Sequence, residues 1–221
     1  MLGLLCDIHG NLPALEAVLA EADALGVDSW LLGGDYGIPS PWPLETLERL
    51  ETLASATWIR GNGERWAREL PDIPEMREAY ERHVIGVVPD DVIDRLYRLP
   101  TQVELDGVLY VHGSPLSDVE TFAPEAQPDD ERLLAGVRGR TVVFGHSHLQ
   151  FRRPGPNDTE LVNPGSAGMP LDGDRRPGWA TRDGDFTFHR TEYDVERAAT
   201  AFRNLGELGE FSARRLERGS D

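Results

Sequence analysis

The sequence contains no lysine, so all 22 of its basic residues are arginine. They face 39 acidic residues, which gives a formal net charge of −17 at pH 7. A surface this acidic repels the phosphates of a duplex, and we therefore expect no duplex nucleic acid among the partners. An anionic substrate would need a local source of positive charge within its site.

Cysteine and long apolar runs are also scarce. A single cysteine, Cys6, excludes an internal disulfide framework. No apolar stretch approaches the roughly 18 residues of a membrane helix, and the opening run lacks the length and basic flank of a signal peptide. We therefore expect a cytoplasmic protein with no membrane partner. No linker or repeat divides the chain, which predicts a single domain over residues 1–221.

The first third of the chain alternates strand and helix patterns. Short apolar runs predict strands over residues 2–6, 29–32 and 57–60, with a helix after each of the first two. Asn11 and Gly26 have the residue types that cap the two ends of the first helix. This βαβαβ order predicts parallel strands joined by right-handed crossovers.

The pattern changes after residue 64. Residues 64–99 are predicted to be mostly helical, with breaks at prolines. Beyond them the chain favours short strands, two pairs of which flank the turn dipeptides Asp106-Gly107 and Asp183-Gly184. A helix is predicted to fill much of residues 195–218. These parts indicate an α/β protein with two mixed β-sheets and helices outside both.

Polar side chains follow five of the predicted strands, at the point where each strand ends. They are two aspartates, one asparagine and four histidines in glycine-rich surroundings, namely Asp7, His9, Asp35, Asn62, His112, His146 and His148. Residues at the carboxyl ends of parallel strands converge on one crevice. Taken singly, each could be a turn residue, a helix cap or a core histidine. Their conjunction favours a metal site, since all offer oxygen or nitrogen donors.

The size of this set predicts two metal ions. A tetrahedral zinc takes four ligands, and seven suit two ions that water completes. Asp7 and His9, like His146 and His148, are two positions apart, so an extended segment presents both on one face. The set has no thiolate, which leaves Mn, Fe, Zn, Co and Ni as candidates.

These residues resemble the motifs of the calcineurin-like metallophosphoesterases. The family pattern is D-x-H, G-D, G-N-H-[ED], a lone H and G-H-x-H. The matches, in that order, are Asp7/His9, Gly34-Asp35, Gly61-Asn62-Gly63-Glu64, His112 and Gly145-His146-Ser147-His148. The resemblance extends from residue 1 to about residue 188 and is strongest to the short bacterial and archaeal branch, including the segment 161–166.

The resemblance implies a fold and a set of roles. The fold is a four-layer αββα sandwich. Asp7, His9 and His148 would hold one divalent ion, with manganese favoured. Asn62, His112 and His146 would hold the other. Asp35 would bridge the two ions, and Asp35, Asn62 and His112 would be the catalytic residues. In-line attack by a hydroxide between ions about 3.5–4 Å apart would hydrolyse a small phosphate ester. The two ions would also supply the local positive charge that the acidic surface lacks.

One position departs from the family pattern. Gly63 stands where the family has a histidine that assists the leaving group, and Glu64 keeps the acidic position that normally accompanies that histidine. General-acid assistance is often worth about 10²–10⁴-fold, so we expect weak activity on esters with poor leaving groups. Some members of the short branch also lack this histidine and resemble phosphodiesterases. We therefore expect small or nucleotide-like phosphodiesters as substrates.

Two other functions compete with this hypothesis. One is a phosphomonoesterase, either a protein phosphatase or a dinucleoside polyphosphate hydrolase. The other is a catalytically silent metal-binding scaffold that resembles a retromer subunit, although all seven ligand types are present here. The sequence identifies no substrate-binding residue. Arg60, Arg175 and Arg176 could meet phosphate, but surface ion pairing is favoured by the excess of acid. A homo-oligomer is compatible with the sequence, which does not predict one.

Overall fold

The first half of the chain follows the alternating order that its sequence predicts. The computed structural model describes all 221 residues. Its first elements are β1 (Leu2–Leu5), α1 (Leu12–Leu25), β2 (Ser29–Leu32), α2 (Pro43–Glu51) and β3 (Ala56–Trp58). Asn11 caps α1, because its side chain accepts a hydrogen bond from the Ala14 N–H at 3.2 Å. Three helices follow, α3 (Asn62–Trp66), α4 (Pro74–His83) and α5 (Asp90–Tyr97).

The second half is richer in strands. Its elements are β4 (Gln102–Leu105), β5 (Val108–Val111), α6 (Asp130–Leu133), β6 (Thr141–Val143), β7 (Gln150–Pro154), β8 (Glu160–Pro164), β9 (Gly178–Asp183), β10 (Asp185–Arg190), α7 (Val195–Arg203) and α8 (Glu207–Arg218). Both predicted hairpins form, β4 with β5 and β9 with β10. No helix combines the length and the apolar composition that crossing a bilayer requires.

The strands form two mixed five-stranded sheets. The first sheet has the order β10-β9-β1-β2-β3 and the second has the order β4-β5-β6-β8-β7. Pairing is parallel between β1 and β2, β2 and β3, β5 and β6, and β6 and β8. The carboxyl ends of these parallel strands are therefore the places where loops of each sheet can build a common site.

Alternation along the strands explains the layers. Leu4 and Leu31 pack in one apolar cluster with Tyr110 and Val143, so these faces of the two sheets meet. Leu5 and Leu32 face the other way and pack with α1, α2 and α5. On the second sheet, Leu109 and Val142 pack with Leu133 of α6. The four-layer αββα sandwich is thus confirmed.

The structure corrects the prediction at the carboxyl end of the chain. The helix predicted over residues 195–218 is two helices, α7 and α8, separated at residues 204–206. Gly206 has φ +80° and ψ −145°. A helix cannot contain this backbone conformation, and residues other than glycine rarely adopt it. The short α6 has only four residues and no helical periodicity that a sequence pattern could have detected.

Candidate metal centre

All seven predicted ligands follow strands, and both sheets contribute. Asp7 and His9 follow β1, Asp35 follows β2, and Asn62 follows β3 at the start of α3. The second sheet supplies His112 after β5, and His146 and His148 after β6. Backbone hydrogen bonds connect these loops, including His9 N–H to the Asp35 carbonyl at 2.9 Å and Gly145 N–H to the His112 carbonyl at 2.8 Å. The structure brings all seven residues together.

Two groups of potential ligands lie side by side. Asp7, His9 and His148 form one trio, and Asp35, His112 and His146 form the other, with the ligand atoms of each trio within 4.8 Å of one another. In the first trio, Nε2 of His148 lies 3.0 Å from Nε2 of His9 and 3.5 Å from Oδ1 of Asp7. Both trios combine carboxylate oxygen with imidazole nitrogen, a donor set suited to divalent transition metals.

Asp35 belongs to the second trio and also faces the first. Its Oδ1 is 3.5 Å from Nε2 of His112, and its Oδ2 is 3.8 Å from Nε2 of His9. The two oxygens of one carboxylate thus face opposite groups of ligands, the arrangement that a shared ligand requires.

An unpartnered oxygen supports a cation at this position. Asp7 is fully buried, and its Oδ2 accepts a hydrogen bond from the His146 N–H at 2.9 Å. Its Oδ1 is buried and has no hydrogen-bond partner. A buried acceptor left unpaired costs about 1–3 kcal/mol, and more when it is charged. A metal ion ligated by this oxygen would remove that cost.

The orientation of the Asn62 amide supports a second cation, at the second trio. Its Oδ1 lies 2.9 Å from Nε2 of His112 and 2.9 Å from Nδ1 of His146. Hydrogen bonding alone would favour the reversed amide, whose nitrogen could donate to those ring nitrogens. A cation shared by the oxygen and both rings would instead favour the orientation as it stands. The residues present therefore fit two metal ions.

Backbone carbonyls orient two of the histidine rings. Nδ1 of His112 lies 2.8 Å from the Gly33 carbonyl, and Nδ1 of His148 lies 2.6 Å from the Met169 carbonyl. Each ring donates its Nδ1–H to a carbonyl, so in the neutral ring Nε2 has a free lone pair directed into the site. This is the usual way in which a protein fixes the tautomer of a ligating histidine.

Charges within the buried site oppose one another. Burial raises the pKa of Asp7, but the nearby His148, His112 and His9 outweigh it and leave this pKa below its ordinary value. Burial lowers the pKa of His112, but Asp35 and Asp7 raise it to about 8. For His9, burial and the neighbouring His148 lower the pKa to about 4.

The ligand loops also contain backbone strain. Asp7, His9, Asp35, His146 and His148 have φ values between +48° and +62°. Residues other than glycine rarely adopt this left-handed region, and each instance costs about 1–3 kcal/mol. Five of the ten non-glycine residues with positive φ are predicted ligands, so this backbone conformation is concentrated at the site.

Gly63 has a structural role that its sequence position did not suggest. Its N–H donates to Oδ1 of Asp35 at 2.7 Å. A Cβ added at this position would lie 2.9 Å from the same oxygen, closer than real Cβ atoms approach. The family histidine therefore cannot stand here unless Asp35 or α3 moves.

Glu64 has a structural role that the sequence did not reveal. It is fully buried, and its carboxylate accepts three backbone hydrogen bonds, from the N–H groups of Asp35 (2.9 Å), Tyr36 (2.8 Å) and Gly61 (2.8 Å). It thereby ties the turn after β2 to the turn after β3. Burial and the charge of Asp35 raise the pKa of Glu64 to about 7. The only indication of this role in the sequence was the presence of an acidic residue two positions after Asn62.

A polar cavity of about 330 Å³ adjoins the second trio. His112 lines it together with Arg60, Arg65, Ser114 and Asp118. Arg65 is committed to Asp118 by two hydrogen bonds, of 2.6 Å from Nε and 2.8 Å from Nη2. A larger groove of about 690 Å³ runs between α4 and α8 and contains none of the seven predicted ligands.

Comparison with known proteins identifies the family. The family model of the calcineurin-like phosphoesterase superfamily domain matches residues 1–183. The chain belongs to this superfamily. A metallophosphoesterase from Sphaerobacter thermophilus has a similar structure, with a TM-score of 0.82, 28% identity and 99% of each chain covered.

Two further proteins are less similar to this chain. An uncharacterised protein of Methanocaldococcus jannaschii is 25% identical over 224 residues, covering 90% of each chain. The E. coli phosphoesterase Yfce shares the fold, with a TM-score of 0.52 and 23% identity over 83% of this chain and 88% of its own. Membership in the superfamily agrees with the phosphoesterase chemistry that the motifs predict.

Proposed function

We propose that this phosphoesterase uses two divalent metal ions to hydrolyse small or nucleotide-like phosphodiesters. The observation that carries the proposal is the position of Asp35. Its Oδ1 lies near His112 of its own trio, and its Oδ2 lies near His9 of the other. One trio alone would suit a single ion, whereas a carboxylate that faces ligands of both trios suits a pair of ions that share it.

The seven side chains divide between the two ions. Asp7, His9 and His148 would hold one, and Asn62, His112 and His146 would hold the other, with Asp35 shared. Manganese is favoured, and Fe, Zn, Co and Ni suit the same donors. When bound, such ions lower the pKa of water and neutralise phosphoryl oxygens. The chain holds these ligands in fixed positions. The Gly33 and Met169 carbonyls orient His112 and His148, and the Gly63 N–H and Glu64 position Asp35.

One feature supports diesters over monoesters. Position 63 carries no side chain that could protonate a leaving group. A phosphomonoesterase, whether a protein phosphatase or a dinucleoside polyphosphate hydrolase, uses the same ligands and is the competing outcome. The complete ligand set argues against a silent scaffold.

Substrate comparison tests the proposal. The purified protein is stripped with a chelator and reloaded with Mn²⁺, and hydrolysis of bis-p-nitrophenyl phosphate is measured beside that of p-nitrophenyl phosphate. We expect Mn²⁺-dependent turnover that favours the diester. Asp35→Asn should lose most of this activity, and Asp72→Asn, at an exposed carboxylate that belongs to neither trio, is the matched control. Faster turnover of the monoester would contradict the diester preference.

A further inference from the structure

One arginine beside the metal centre has no carboxylate partner. Most arginines of this acidic chain form ion pairs, including Arg65 in the same cavity wall. Arg60 forms none. Its Nη1 donates to the Tyr97 carbonyl at 2.9 Å, its guanidinium lies 4.9 Å from the centre of the Tyr97 ring, and its Nε is buried without a hydrogen-bond partner. The side chain is therefore held in place with unused hydrogen-bonding capacity.

The cavity that Arg60 lines can take a polar, negatively charged group. Thr101 and Gln102 offer further polar side chains, and Leu116 is the hydrophobic residue in the lining. Among the residues that line the cavity, Asp118 pairs with Arg65, so Arg60 is the cation there without a carboxylate partner. An unpaired guanidinium at a polar cavity suits an anionic group.

We propose that this cavity binds a second phosphoryl group of the substrate, apart from the one that is hydrolysed. The inference rests on the proposed function and narrows its substrate class to phosphodiesters that carry an additional phosphate, as phosphorylated nucleotides do. Guanidinium groups bind phosphate oxygens through charge-assisted hydrogen bonds. The Nη2 of Arg60, unlike its Nε, is not buried, and it forms no hydrogen bond within the protein.

The dimensions agree with a small substrate. His112 lines the cavity and belongs to the second trio, so an occupant of the cavity borders the metal centre. Arg60 precedes Asn62 by two residues of extended chain, a backbone distance of about 7 Å. A volume of about 330 Å³ lies at the small end of ligand pockets, which span about 300–1,000 Å³. It suits a phosphate with part of a sugar.

Calorimetry tests the subsite without turnover. Protein loaded with Mn²⁺ and freed of excess metal is titrated with thymidine 3′,5′-bisphosphate and with thymidine 5′-monophosphate. We expect the bisphosphate to bind about tenfold or more tightly, because a charge-assisted hydrogen bond is gained. Arg60→Gln should reduce this preference nearly to unity, and Arg60→Lys should retain part of it. Arg197→Gln removes one exposed, unpaired arginine on α7 and should keep the full preference.

Each other result overturns the proposal. Equal binding of both compounds by the unaltered protein would exclude a second phosphate site. An equal loss of both affinities in Arg60→Gln, in protein that retains its circular dichroism spectrum and thermal midpoint, would assign Arg60 to the phosphate that the two compounds share. Because affinity is measured without hydrolysis, an absence of esterase activity would count against the proposed function and not against the subsite.

Discussion

The backbone N–H of Gly63 donates a 2.7 Å hydrogen bond to Oδ1 of Asp35, the carboxylate that faces both groups of ligands. The bond leaves no room for a side chain, because an added Cβ would lie 2.9 Å from that oxygen. A histidine at position 63, as in the family pattern, is therefore incompatible with the present position of the Asp35 side chain. This chain holds the carboxylate with a backbone donor from the start of α3.

Restoring the family residue should therefore harm the protein. We expect Gly63→His to destabilise the metal-free fold by about 1–3 kcal/mol, since overpacking displaces Asp35 or α3. Gly63→Ala should show part of the same loss, because the Cβ alone is too close. Urea denaturation in the presence of chelator measures both. A Gly63→His variant that is as stable as the unaltered protein and more active would contradict this view of Gly63.

Glu64 should be needed for metal binding although it is not a ligand. Replacing it with glutamine removes an acceptor from the three N–H groups that it binds and places an amide donor among them. We expect a loss of about 1–3 kcal/mol in stability and weaker Mn²⁺ binding by calorimetry, since the turns that carry Asp35 and Asn62 are no longer tied together. Glu81→Gln, at an exposed residue of α4, is the control. Unchanged Mn²⁺ affinity in Glu64→Gln would show that the tie is dispensable.

Metal binding should stabilise the fold. At a free Mn²⁺ concentration 100 times the dissociation constant, one site contributes about 2.7 kcal/mol, which corresponds to about 5–10 °C in the thermal midpoint of a chain of this size. Asp7→Asn should reduce the increase, because Oδ1 of Asp7 is the unpartnered oxygen assigned to the first ion. Thermal scans with Mn²⁺ and with chelator measure it, and Asp72→Asn serves as control. The same increase in Asp7→Asn as in the unaltered protein would exclude Asp7 as a ligand.

Much of this arrangement could be predicted from the sequence. Apolar runs located the central strands, and the polar residues that follow them are the ones that the fold brings together, because parallel strands direct their carboxyl ends to one edge. The capping of α1 by Asn11 was equally local, since a cap depends on the residues within one helical turn.

Other features depend on contacts that no local pattern contains. Asp35 and Glu64 are 29 residues apart in the sequence, and the role of Glu64 requires their two turns to meet in space. The crowding at Gly63 depends on where the Asp35 side chain lies. Arg60 resembles any surface arginine in the sequence, and only the tertiary structure distinguishes it from its ion-paired counterparts. The break at Gly206 had a sequence signal, but helical periodicity on both sides concealed it.

The central claim is that seven side chains hold two metal ions with Asp35 shared between them. Its most direct test is the number of Mn²⁺ ions that the stripped protein takes up, measured by metal analysis after equilibrium dialysis. We predict two ions for each chain in the unaltered protein and fewer in Asp35→Asn. A single ion, or two that remain in Asp35→Asn with unchanged affinity, would contradict a shared dinuclear centre.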